Sequence, residues 1–111
     1  EILAGAIEGT VGGLRQNEVA HVAVFPDTTD FSVISAALGG DIIAETVVKP
    51  GEEFRFNGLP PGVYYLGAVA VPAGSESDSA AVLTAVSKGR AVVQPVEVAP
   101  AQTAIADLPL P

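Results

Sequence analysis

The chain has 111 residues, no cysteine, no tryptophan and a formal net charge of −8 from 13 acidic and 5 basic side chains. That composition excludes a disulfide framework, a thiolate nucleophile and a zinc site built on sulfur. It also argues against nucleic acid and anionic membranes as partners. Phosphates are held by clustered Lys and Arg, whereas Arg15, Lys49, Arg55, Lys88 and Arg90 are scattered singly along the sequence.

The length predicts one domain over residues 1–111, able to bury roughly two-thirds of its unfolded surface. Hydrophobic residues at 49%, with 12 Gly and 9 Pro, suit many short strands joined by turns. A mean hydropathy of +0.45 implies either small Ala and Val side chains left outside or a surface covered by a partner. No signal peptide is visible, and a start at Glu1 is what a mature or trimmed chain would show. The charge-free run from Phe56 to Ser75 is broken by Pro60, Pro61 and Pro72, so no membrane insertion is expected.

In chain order, Leu3, Gly5, Ile7, Gly9 and Val11 share one face of a first strand, where Gly9 predicts a bulge or a close backbone approach. Residues 1–6 form a longer first strand or an apolar arm, in which Ile2, Leu3 and Ala4 could seek a sheet edge. Val19 to Phe25 is a second strand with Ala20, Val22 and Val24 inward and His21, Ala23 and Phe25 outward. Phe31 to Leu38 alternates weakly and reads as an edge strand or a short helical turn. Ile42 to Lys49 is rich in β-branched residues and reads as a strand.

The most structured stretch is 50–66. Phe54 and Phe56 alternate with Glu53 and Arg55, giving one aromatic and one charged face. Pro61 and Gly62 fit the two central positions of a type II turn, which would require a positive φ at Gly62. Beyond it, Tyr64, Leu66, Ala68 and Ala70 share a face of a strand over 63–71, and Tyr65 points the other way. Ala73 to Ser79 is the segment expected to be most mobile. Ala81 to Lys88, with Val82, Thr84 and Val86 alternating, reads as a strand. Gly89 then reverses the chain into Ala91 to Val98, where Pro95 predicts an edge position or a bulge, and Thr103 to Leu108 is a last strand. With about eight or nine such strands and no long amphipathic helix, the expected fold is all-β, a two-layer antiparallel β-sandwich.

The pattern carried by Gly51, Phe54, Phe56, Gly58, Leu59, Pro60, Pro61, Gly62, Tyr64 and Leu66 resembles the signature of carboxypeptidase-regulatory-like domains, with Gly51 one residue early. Ile7 to Val11 and Ala20 to Val24 resemble that family's first and second strands. The resemblance covers about the first two-thirds of the chain. It implies a prealbumin- or transthyretin-like sandwich, Ig-like in outline, in a secreted or cell-surface protein, and it says little about function, since such sandwiches host many roles. Related collagen-adhesin B-type repeats carry an internal Lys–Asn isopeptide. The first strand here has no lysine and the strand after Tyr64 has no acid, so none is expected.

Candidate chemistry is sparse. His21, the only histidine, lacks a Gly-x-Ser-x-Gly elbow to serve and reads as a surface or interface residue. Asp27 with Asp30, and Glu76 with Asp78, lack the spacing that gathers six to eight oxygens around calcium, so they read as solvated turn residues and no metal is expected. Phe25, Phe31, Tyr64 and Tyr65 are too few for a sugar-stacking platform. Glu52 and Glu53 point to opposite faces and cannot share a substrate. No Gly-rich loop opens a helix to cradle phosphate, so no cofactor and no enzymatic activity are expected.

Three roles follow. The chain is a non-catalytic structural or interaction module whose partners are neighbouring domains. Alternatively, it is a filament or pilus-like subunit that adds a terminal strand to another copy's sheet. The third role is an adhesion or carbohydrate-binding module.

Overall fold

The computed structural model describes residues 3–26, 42–75 and 78–110. The fold is all-β, two sheets packed face to face with one short helix. The strands are β1 (Gly5–Gly12), β2 (Glu18–Pro26), β3 (Ala44–Val48), β4 (Glu53–Leu59), β5 (Gly62–Pro72), β6 (Ala91–Val98), β7 (Thr103–Ile105) and β8 (Leu108–Pro109); helix α1 (Ser79–Ser87) lies between β5 and β6. The first sheet runs β4-β1-β7, with β8 also on β1, and the second runs β3-β2-β5-β6.

Alternation along the strands fills the space between the sheets. Ile7, Val22, Val24, Leu66 and Leu108 are fully buried there, each contributing about 1.5–3 kcal/mol by leaving water. Phe54 and Phe56 face the same core, 2% and 6% exposed, with ring centroids 5.8 Å apart. On the other side of β4, Arg55 Nη1 meets Glu8 Oε2 at 2.6 Å across the β1–β4 pair. Both of those side chains are too exposed to stabilise the fold much.

The chain crosses from the first sheet to the second at Pro60-Pro61. Gly62 has φ 157°, close to extended and far from the roughly +80° of a type II turn. It opens β5 opposite Val98. The left-handed residue is Gly58, at φ 71°. It lies where Gly5 pairs with Leu59 but Ile7 pairs with Phe56, so β4 carries one extra residue there. That bulge bends β4 out of its sheet, and the Tyr64 hydroxyl donates to the Pro60 carbonyl and ties the corner down. Gly62 thus has the expected positive φ, but a bulge and a tyrosine tether take the place of the type II turn.

Two further expectations are corrected. The C-terminal stretch is two short strands, not one, and both run parallel to β1. They are separated at Ala106, whose carbonyl presses on Gly9. A Cβ built on Gly9 would lie 1.7 Å from Ala106 O, the close approach expected of this glycine. Residues 81–88 are not a strand. Asp78 Oδ1 accepts from the Ala80 N–H and caps a helix N-terminus. Gly89, at φ 73°, closes the other end, with the Gly89 N–H bonded to Val86 O and the Arg90 N–H to Ala85 O. This is a Schellman cap.

Helix α1 changes the outer face of the second sheet. Val82 and Ala85, one helical turn apart, pack on Val19 and Val71 to form a second small core. Ala23 and Phe25 also point to this side, as their pairing with Gly67 and Tyr65 requires, yet they are 5% and 6% exposed. Phe25 lies over Gly67, where a Cβ would sit 3.5 Å from Phe25 Cε2. This face is thus partly covered, contrary to its expected exposure.

Candidate binding site

Among the described residues, two recesses border the helix. One, between Phe25, Val69, Val82 and Val93 over Gly67, is apolar and holds only about 30 Å³, room for little more than a water. The other is a cavity of about 350 Å³ along the opposite flank of α1, facing the end of β5 and the turn before β2. The helix supplies Ala80, Thr84 and Lys88 at one-turn spacing, beside Ala81 and Ala85, while the sheet supplies Ala70 and Pro72. Small side chains on this flank keep the cavity open. Its volume is that of a small-molecule site.

Its charges come from segments far apart in sequence. Arg15 and Glu18 belong to the turn leading into β2, and Arg90 follows the helix cap. Arg90 Nη2 lies 2.5 Å from Glu18 Oε1 and 3.0 Å from the Gly13 carbonyl, and the Arg90 and Glu18 side chains are only 14% and 16% exposed. Glu18 Oε1 also accepts from the Arg15 N–H at 2.9 Å. Burial raises the Glu18 pKa, but the Arg15 N–H, the Arg90 hydrogen bond and the charges of Arg90 and Arg15 together outweigh it and hold the carboxyl below its ordinary range. Among the described residues, the side chains of Arg15 and Lys88 enter no hydrogen bond or ion pair.

A depressed carboxylate pKa contributes stability that is full above the unfolded-state value, about 4.3, and is lost as pH falls through the folded-state pKa. Glu18→Gln is expected to cost about 2 kcal/mol at neutral pH, the scale of a hydrogen bond to a charged group. Melting curves of parent and variant should converge as pH falls through the lowered folded-state pKa of Glu18. A gap independent of pH would show that Glu18 acts by packing and not by charge.

The signature residues lie elsewhere. Phe54, Phe56, Leu59, Tyr64 and Leu66 are buried between the sheets. Gly51, at φ 84°, sits in the β3–β4 turn, where the Glu52 carboxylate accepts from the Lys49 N–H at 2.7 Å. Pro60, Pro61 and Gly62 form the crossover and Gly58 the bulge. Of the proposed assembly strand, Ile2 lies outside the described residues. Leu3 and Ala4 are exposed, and the Leu3 carbonyl accepts from the Ala101 N–H at 3.3 Å, which ties the arm to its own chain. His21 Nε2 lies 3.1 Å from Glu45 Oε2 near the edge of the second sheet. Asp78 is spent as the helix cap. Asp27, Asp30, Phe31 and Glu76, and the strand or turn expected at Phe31 to Leu38, lie outside the described residues.

The alternation at Val82, Thr84 and Val86 predicts a strand, and a strand there forms no such cavity. Asp78 and Gly89, eleven positions apart around an Ala-rich stretch, were the available signal. With a helix in place, Thr84 and Lys88 fall on one flank.

Comparison with known proteins is consistent with the fold. No family model matches the chain, and no curated protein matches it. Among solved structures it is similar to that of a "putative carbohydrate binding protein" from Pseudomonas aeruginosa, with TM-score 0.58 and 17% identity, over 97% of this chain and 89% of that one. At that identity the likeness is one of fold.

Proposed function

We propose that the chain is a non-catalytic binding module, of the carboxypeptidase-regulatory-like kind, that holds a carbohydrate for a secreted or cell-surface protein. The observation that carries this reading is the division of labour in the fold. The residues of the signature stretch are spent on the core, the bulge and the crossover, while a ligand-sized cavity opens along one flank of the helix. Its side chains are cations, one ionised carboxylate and a hydroxyl on an apolar lining, a set suited to binding. The description of the similar structure as carbohydrate binding supports the same choice of ligand.

The filament reading gains less. The main chain of the described part of the arm is hydrogen-bonded to the 99–102 turn of its own chain, not presented to another sheet.

The test is a panel of neutral and acidic mono- and oligosaccharides immobilised and probed with the purified chain, alongside light scattering. Saturable binding by a species of about 11.2 kDa is expected. Polymers that disappear when residues 1–6 are removed, with no saccharide bound, would replace this reading with assembly.

A further inference from the structure

We propose that the cavity between α1, the end of β5 and the 15–18 turn takes a single sugar unit carrying one carboxylate, a uronic acid; this rests on the carbohydrate-binding reading above. On a chain of net charge −8, three of the five basic residues meet in this one cavity. Among the described residues one carboxylate, Glu18, stands against them, leaving an excess of two positive charges. Arg90 is engaged by Glu18 and the Gly13 carbonyl and forms part of the wall. Arg15 and Lys88 are exposed and make no side-chain hydrogen bond or ion-pair contact among the described residues, so they are the groups left to receive an anion.

The remaining polar groups narrow the anion. Thr84 Oγ1 donates to the Ala80 carbonyl at 2.8 Å, so toward the cavity its oxygen can only accept. Glu18, held ionised, is likewise an acceptor. Two acceptors beside two cations match a molecule that offers hydroxyl donors as well as a carboxylate. An inorganic phosphate dianion offers at most one donor, and its second negative charge is repelled more strongly by Glu18 than a single carboxylate is. Among the described residues no aromatic ring lines the cavity, so a nucleobase finds nothing there to stack on. The ring carbons of Pro72 and the methyl of Ala81 suit the C–H face of a pyranose. The overall negative charge holds off polyanions and leaves a terminal, singly charged sugar as the best fit.

The test is calorimetric titration of the full chain with D-glucuronate and D-galacturonate, with glucose, galactose and acetate as comparators. A uronate is expected to bind at least about tenfold tighter than its neutral hexose and than acetate, the scale of one charge-assisted contact. Arg15→Gln and Lys88→Gln are each expected to weaken it about fivefold or more, and the pair to abolish it, with melting temperatures unchanged because both side chains are exposed. Uronate binding no tighter than acetate, or unaffected by both substitutions, would overturn the assignment. Neutral sugars that bind with both substitutions in place would overturn the site and leave the carbohydrate reading standing. Failure of every saccharide, neutral and acidic, to bind would remove both.

Discussion

Gly9→Ala is expected to destabilise the chain by about 3 kcal/mol or more, the upper end of overpacking costs. The added Cβ would be placed 1.7 Å from the Ala106 carbonyl oxygen and 2.6 Å from its carbon, both main-chain atoms. A flexible side chain could swing away, but this carbonyl cannot. The Ala106 N–H is bonded to the Glu8 carbonyl at 2.8 Å, and the next residue, Asp107, accepts from Thr10 Oγ1 at 3.0 Å. Relief therefore means prying β7 and β8 off β1, which would open the parallel edge of the first sheet. Chemical denaturation should show a lower midpoint. Exposed Gly12, with nothing near its Cβ position, supplies the control, since Gly12→Ala should change little. Equal stability of the two variants would mean that the close approach at Ala106 is not part of the folded chain in solution.

Phe54→Ala is expected to cost about 3–5 kcal/mol, a large part of the stability of a domain this size. Phe54 is 2% exposed, its ring packs against that of Phe56, and it lies close to Gly9, 3.2 Å from that residue's Cβ position. Truncation empties the centre of the contact between the sheets, and the flanking β strands, each held by its ladder, cannot collapse into the gap. Phe54→Leu should recover much of the loss by refilling the volume. Because Phe54 and Gly9 share a contact, their costs should not add; the double variant is expected to deviate from the sum by about 0.5 kcal/mol or more. A parent-like melt for Phe54→Ala would contradict its place in the core.

What could be read from the sequence depended on whether a residue's environment is written in its neighbours. Phe54, Phe56, Tyr64 and Leu66 alternate cleanly with polar or outward residues, so their burial follows from strand periodicity. The same reasoning misled at Val82-Thr84-Val86, where alternation coincided with an Ala-rich run of high helix propensity, and the caps at Asp78 and Gly89 decided the outcome. The parallel pairing of β7 and β8 with β1 joins residues about a hundred positions apart, and no local pattern encodes a strand's partner. The outward assignment of Ala23 and Phe25 had the right face but not the burial, since coverage of that face depends on elements elsewhere in the chain. The cavity depends on the helix and on the long-range strand pairing together. Arg15, Lys88 and Arg90 look scattered until the helix and the β5–β6 pairing bring 15 beside 88 and 90.

The central claim is that residues 50–66 build the fold while binding occurs on the helix side. Backbone amide chemical-shift mapping of the isotopically labelled chain, titrated with the saccharides that it retains, tests this most directly. Shifts are expected at Arg15 to Glu18, Ala80 to Arg90 and Ala70, with Leu59 and Gly62 on either side of the crossover and the exposed edge of β4 unmoved. Shifts gathered at the crossover, on β4 or along the 3–6 arm, with α1 silent, would contradict it.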